Sequence, residues 1–264
     1  MKLLNFLSLF LFAALVFSGC KKEKTYSTLV WSDEFDYSGA PDSAKWGYEQ
    51  GYVRNNEMQY YTNKLENARV EDGNLIIEAR RDSSVIGDDT LKVSSASLNT
   101  AGKQKWTYGK IEVRAKIPSF LGSWPAIWML GSNVSEVGWP MCGEIDMMEN
   151  VGFDPDTVHF NIHTEAYNHV KGTNKGKRVF LKDPEAEFHV YTLEWYEDRL
   201  DFFLDSTKVF TFKNEGKGAE VWPYDKAHYL LLNLAVGGAW GGVKGVDLNA
   251  LPQKFIIDYV RVYQ

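Results

Sequence analysis

The segment 108–118, YGKIEVRAKIP, alternates without a break: Ile111, Val113, Ala115 and Ile117 are apolar, while Lys110, Glu112, Arg114 and Lys116 are charged. A period of two gives a β-strand one dry face and one wet face, and it cannot give an α-helix an apolar stripe. The rest of the chain keeps that period. Asp72-Gly73 separates Asn67–Val70 from Leu75–Ala79, and Asp205-Ser206 separates Leu200–Phe203 from Val209–Phe212, each as a hairpin turn does. Tyr229–Leu234 and Phe255–Tyr263 are further apolar strands, and no long window keeps a helical stripe. The fold class is therefore all-β. Many antiparallel strands in 264 residues favour a sandwich of two sheets, with a barrel as the structural alternative.

Residues 1–20, MKLLNFLSLFLFAALVFSGC, stand outside this pattern. One lysine, an apolar run from Leu3 to Phe17 and then Ser18-Gly19-Cys20 make an export signal. The run is shorter than the roughly 20 residues that a bilayer span needs. Small residues before Cys20 resemble the lipobox of bacterial lipoproteins, which implies cleavage after residue 19, lipidation of Cys20 and anchoring at the outer membrane or cell surface. An ordinary signal peptide with Cys20 as a bystander is the alternative. The partition is then 1–19 signal, 20–27 polar tether and 28–264 one domain, since no linker or repeat interrupts it. Cys142 has no second cysteine in that domain, so packing must hold it together without a disulfide.

The net charge of −6 provides no basic field for a phosphate backbone, which argues against a nucleic-acid partner. Nine Trp and fourteen Tyr exceed the needs of a core this size and suit a site that stacks on flat ligands.

Gly143–Glu149, GEIDMME, puts three carboxylates into a segment otherwise apolar enough to be buried. Strict alternation sets Glu144 and Asp146 on one face and sends Glu149 to the other. A β-bulge at Met147-Met148 resets the phase, so that all three acids share a face while Ile145 and the methionines pack inward. Two glutamates brought to a carboxyl separation of about 5–5.5 Å are what a retaining glycosidase requires, with one as nucleophile and the other as acid, then base. Asp146 between them can orient the nucleophile and couple to the second glutamate. A solvated acidic edge strand is the bland alternative. Ile145, Met147 and Met148 make poor edge residues, and Trp124, Trp128 and Trp139 stand close by in sequence.

GEIDMME resembles the E-x-D-x-x-E signature of glycoside hydrolase family 16, in the bulged branch that contains the laminarinase-like endo-β-glucanases. The resemblance runs through RNNEMQYYT (54–62), YGKIEVRAKIP (108–118), GSWPAIWMLG (122–131), FHVYTLEWYEDRLDFFLD (188–205), LLNLAVGGAWGG (231–242) and FIIDYVRVYQ (255–264), in that order. It implies a β-jelly roll with a concave cleft and a β-glucan substrate, with β-1,3 linkages alone or beside β-1,4 linkages, cut by a monomer without a catalytic cofactor.

Carried over residue by residue, the resemblance makes Glu144 the nucleophile, Asp146 its assisting carboxylate and Glu149 the acid/base. Trp124 and Trp128 would line the glycone subsites, with Asn55 and Arg80 as polar contacts and Trp240 closing the other wall. For Trp128 core packing is the alternative, and for Arg80 a plain surface position. His159 and His163 have a spacing that suggests zinc on a helix, but they read as a strand and lack a third ligand, so zinc is not expected. His163 is expected to border the acid/base, or else to be a satisfied structural histidine. The stretch 163–177 departs from the family pattern and is expected to shape the aglycone side. The resemblance also implies a structural Ca²⁺ held by Glu34, the Gly73 carbonyl and Asp258, which otherwise are ordinary surface groups. Rival readings are a marine-galactan hydrolase of the same family, a transglycosylase and a non-catalytic lectin-like protein.

Overall fold

The computed structural model describes residues 24–86, 89–90 and 92–264; the signal 1–19 and Cys20 lie outside the described residues. The strands run β1 Leu29–Asp33, β2 Gly47–Glu49, β3 Gln59–Tyr61, β4 Ala68–Glu71, β5 Asn74–Arg81, β6 Val85–Ile86, β7 Asp89–Thr90, β8 Val93–Ser95, β9 Ser97–Asn99 and β10 Gly109–Lys116. They continue β11 Ser123–Gly131, β12 Glu144–Asn150, β13 Thr157–His163, β14 Lys175–Phe180, β15 His189–Trp195, β16 Arg199–Leu204, β17 Thr207–Lys213, β18 His228–Val236 and β19 Gln253–Tyr263. The α-helices among the described residues are single turns, α1 Val134–Val137 and α2 Gly238–Gly241.

The large sheet has the order β17-β16-β15-β10-β19-β5-β8-β3, with β1 added to β19 and β4 to β5. The smaller sheet has the order β14-β13-β12-β11-β18-β9-β2. This is the sandwich expected from the sequence. In β10, buried and half-buried residues alternate through all eight positions. Its Ile111, Val113 and Ala115 meet Ile127, Met129 and Ile145 of the smaller sheet in one core. Both expected hairpins are present: Asp72-Gly73 joins β4 to β5 with φ of 53° and 74°, and Asp205-Ser206 joins β16 to β17.

The outward face of the smaller sheet is the one that matters for function. On β11 and β18 it is apolar, with Ala126, Trp128 and Leu231 packed together beside Leu130 and Tyr229. On β12 it carries the acids.

Candidate active site

The bulge expected in β12 is present. Asp146 lies opposite Asn161 and Glu149 opposite His159, so three steps on β12 match two on β13. Met147 and Met148 are both fully buried in the core, as is Ile145, and the phase shift returns Glu149 to the face of Glu144 and Asp146. Burying two methionine side chains is worth about 1.5–3 kcal/mol each, which opposes any slip that would exchange them with the acids. Gly143 launches the strand at φ 82°, where an added Cβ would come within 2.7 Å of Pro223. Beneath it, the buried Tyr224 hydroxyl lies 3.1 Å from the Glu144 carbonyl and 3.2 Å from that of His163, tying both strands at one end of the site.

Two walls rise at the two ends of β12, so the groove between them crosses the strands. At the Glu149 end, Trp124 donates its indole N–H to Glu149 Oε1 at 3.0 Å. Its ring meets Trp240 edge-on at 5.5 Å, and His159 meets Trp240 at 4.8 Å. Trp240 therefore stands beside Trp124 and does not close the opposite wall. That opposite wall, at the Glu144 end, is Trp139 with His163 and His169. Trp139 donates to Glu144 Oε2 at 2.9 Å and its ring lies 5.1 Å from that of His169. Trp240 is carried by the turn at Gly237-Gly238, whose φ values are 73° and 76°.

His163 is at the Glu144 end and does not border Glu149. Antiparallel pairing reverses the order of β13 against β12, so His163 faces Glu144 and His159 takes the place beside Glu149. The Nε2 of His163 is 3.4 Å from Asp146 Oδ2 and 3.7 Å from Glu144 Oε1. Burial pushes the pKa of His163 and His159 down to about 4, so both rings are neutral at neutral pH.

Trp128 is on the site face but only 7% exposed. It donates to Asn233 Oδ1 at 2.7 Å, and the Arg54 guanidinium covers its ring at 5.0 Å. It is floor, and Arg54 is the group presented to the cleft. Arg54 pairs with Glu49, which in turn accepts from Ser97 at 2.6 Å. Asn55 is exposed and donates to Glu57 Oε1 at 3.1 Å, while its carbonyl accepts from Ala239 next to Trp240. Arg80 is not brought to the acids: it lies on the outward face of the large sheet, 3.6 Å from Glu78. Arg54, Glu57 and His169 were not singled out by sequence reasoning, and His159 was weighed there only as a zinc ligand; Arg54 and Glu57 sit in the 54–62 block, which was the available signal.

The two glutamates share burial and an indole donor but differ in the charges around them. Burial raises both, from an ordinary 4.5 to about 7. Around Glu144, the Trp139 N–H, the Arg54 charge and the Asp146 hydrogen bond all favour the ionised form. Around Glu149, the charges of Glu144 and Glu57 favour the protonated form against the Trp124 N–H. Glu57 is itself raised by burial. Asp146 is pushed well up by burial and by its two acidic neighbours. The two carboxyls are raised alike, and what distinguishes them is the sign of the neighbouring charge, Arg54 at Glu144 and Glu57 at Glu149.

A comparison with protein-family models decides the relationship: the model described as glycosyl hydrolases family 16 matches residues 47–261. The chain belongs to this family. Among family 16 relatives, a beta-glucanase from Rhodothermus marinus is 48% identical over 246 residues, covering 89% of this chain and 85% of that one. A keratan-sulfate endo-1,4-beta-galactosidase from Sphingobacterium multivorum is 35% identical, and the match covers 55% of its length. The crystal structure of a non-specific endo-beta-1,3(4)-glucanase of the family, with an oligosaccharide at its active site, superposes with a TM-score of 0.87 at 48% identity, covering 92% of this chain and 96% of that one. Family 16 chemistry rests on the carboxyl groups and needs no cofactor.

The three residues assigned to calcium lie on the large sheet. β1 pairs with β19 as far as Asp33 opposite Val260, and β5 as far as Leu75 opposite Ile257, so Asp258 stands in the gap between them. Glu34 and the Gly73 turn flank that gap. Two carboxylates and a carbonyl are hard donors of the kind calcium takes. Each carboxylate already has a partner: Arg261 holds Glu34 at 2.7 and 3.0 Å, drawing its carboxyl below the ordinary range, and Arg114 holds Asp258 at 2.5 Å. An ion there must draw both away.

Proposed function

We propose that this family 16 chain is a retaining endo-β-glucanase that cuts β-1,3 linkages, in laminarin or beside β-1,4 linkages in mixed-linkage glucan. The observation that carries it is the placing of Glu144, Asp146 and Glu149 on one face of a bulged strand, at the floor of a groove walled by Trp124, Trp240 and Trp139, with the Arg54 charge at the first glutamate and the Glu57 charge at the last. Glu149 gives its proton to the glycosidic oxygen as Glu144 attacks the anomeric carbon. The C–O bond breaks, the leaving sugar departs as an alcohol and a glycosyl ester forms on Glu144. Glu149, now ionised, takes a proton from water, whose oxygen displaces the ester and restores both groups.

Glucan is favoured over a galactan because identity is 48% to the beta-glucanase against 35% to the galactosidase. A sugar-binding protein without activity would need no such division of charge between its acids. Product chromatography on laminarin, mixed-linkage glucan, agarose and carrageenan tests the reading. We expect oligosaccharides from the two glucans only, and none from Glu144→Gln, which still binds them. Near-normal turnover by that variant would refute the assignment.

The same reading extends to three features. Cleavage before Cys20 and its lipidation would tether residues 28–264 as a monomer to the outer membrane or cell surface, and the mass of the mature N-terminus decides this: an unmodified Cys20 removes the anchor. Asn55 and Arg54 would hold sugar hydroxyls beside the Trp128 floor. Glu34, Gly73 and Asp258 would hold a structural Ca²⁺ on the large sheet, away from the chemistry.

A further inference from the structure

Three acceptor atoms converge at the nucleophile end of the groove. Glu144 turns Oε2 to the Trp139 indole, which leaves Oε1 directed at His163, 3.7 Å from its Nε2. Asp146 Oδ2 is buried without a hydrogen-bond partner and lies 3.4 Å from the same nitrogen. Asn161 donates its amide N–H to His163 Nε2 at 3.1 Å, with its own Oδ1 fixed by Asn174 Nδ2 at 3.1 Å. That amide orientation puts the ring proton on Nδ1 and a lone pair on Nε2. Nε2, Glu144 Oε1 and Asp146 Oδ2 thus face one small space, in which a metal cation can take the place of the proton that the buried Asp146 carboxyl retains.

The spacing suits a particular kind of charge. Donors at the corners of a tetrahedron with metal–ligand bonds of about 2.0–2.2 Å stand about 3.4 Å apart. Glu144, Asp146 and His163 each offer one atom, all within 4.8 Å of one another. Two of the three donors are deeply buried, His163 being 4% and Asp146 2% exposed, whereas Glu144 is half-buried and opens the fourth corner to the groove. Two carboxylates and one imidazole with an open position form a donor set for zinc and its neighbours; calcium and magnesium prefer oxygen alone. The histidine pair at 159 and 163 had pointed to no zinc because a strand offered no third ligand. The fold separates that pair to opposite ends of β12 and gives His163 two different partners from the facing strand.

We propose that Glu144, Asp146 and His163 form a reversible inhibitory site for a divalent transition cation of the zinc type, entered from the groove. The ion displaces the Asn161 amide from Nε2 and occupies the Glu144 lone pair that attacks the anomeric carbon, so bound metal and bound glucan exclude each other. The inference rests on the catalytic role given to Glu144 only for its inhibitory consequence; binding itself is independent of it.

The test is calorimetric titration of zinc chloride into the metal-free chain, with cobalt(II) absorption as a second readout of tetrahedral ligation. We expect one ion per chain, competition by a laminari-oligosaccharide, and binding weakened at least about ten-fold in His163→Ala, since losing even an outer partner of a ligand costs that much. Asp146→Asn serves if thermal melting shows that His163→Ala does not fold. His169→Ala and Glu34→Gln are expected to bind as the parent does. Undiminished binding in His163→Ala and Asp146→Asn, loss of binding in His169→Ala, or binding that ignores the oligosaccharide overturns the proposal. Binding and competition without loss of turnover would instead overturn the role of Glu144.

Discussion

Trp139 donates its indole N–H to Glu144 Oε2 at 2.9 Å, from the loop between β11 and β12. A donor to a carboxylate favours its ionised form, so this contact tunes the group that attacks as an anion in the proposed mechanism. Replacing Trp139 by Phe keeps an aromatic wall and removes the donor. The Glu144 pKa then rises, and the acid limb of the kcat/KM profile moves to higher pH by about one unit at most, as a charged hydrogen bond of this exposure allows. An acid limb that stays in place would show that Trp139 serves only as a wall.

Glu57 acts on the other glutamate. Its carboxylate is buried, accepts from Gln59 at 2.7 Å and adds to the charge that holds Glu149 protonated. In Glu57→Gln that charge is gone, Glu149 loses its proton earlier, and the alkaline limb moves to lower pH. A shift of the acid limb alone would contradict this division of roles.

Most of this architecture could be read from the residues, because period two and the hairpin turns are local properties. The bulge was legible for the same reason: three acids on one short strand can share a face only if one residue is added. Pairing was not legible. Whether His159 or His163 meets Glu144 depends on the register of β12 against β13, which no local pattern encodes. Arg54 over Trp128 and His169 over Trp139 are likewise contacts between segments far apart in sequence, and Trp128 looked like a stacking platform until Arg54 was found on it.

Stability should carry the signature of the buried acids. Glu144 and Glu149 titrate near 7 in the folded chain against about 4.3 unfolded. Between those values the folded state binds more protons, so stability falls as pH rises through that window. Glu144→Gln removes one contribution. Its melting temperature should equal the parent's near pH 4 and exceed it progressively towards pH 8, by an amount equivalent to about 1–3 kcal/mol. A constant difference across that range would sink the idea that burial strains this carboxyl.

His169 offers a test of the loop that follows β13. Asn168, 1% exposed, ties the loop by donating to the Thr164 and Glu165 carbonyls at 3.0 and 3.1 Å, which holds the next residue against Trp139. The imidazole thereby lengthens the wall over β13, on the side of the groove away from Arg54. His169→Ala should lower kcat/KM on long laminari-oligosaccharides about two- to ten-fold, the worth of one ring contact, and shift the bond cleaved, while the shortest substrate is unaffected. An unchanged product pattern would leave the loop without a part in substrate choice.

Calcium gives the last prediction, because the gap along β19 makes competing demands. Arg261 and Arg114 already satisfy Glu34 and Asp258 at the surface, where such ion pairs are worth about 0–1 kcal/mol each. An ion at one hundred times its dissociation constant stabilises a fold by about 2.7 kcal/mol, which exceeds the loss of both pairs. Calcium should therefore raise the melting temperature by several degrees over the EDTA-treated chain, with turnover per folded molecule unchanged. Asp258→Asn should abolish the difference while leaving the Arg261–Glu34 pair intact. Equal melting with calcium and with EDTA would mean that the two arginines, and not a metal, hold this edge of the large sheet.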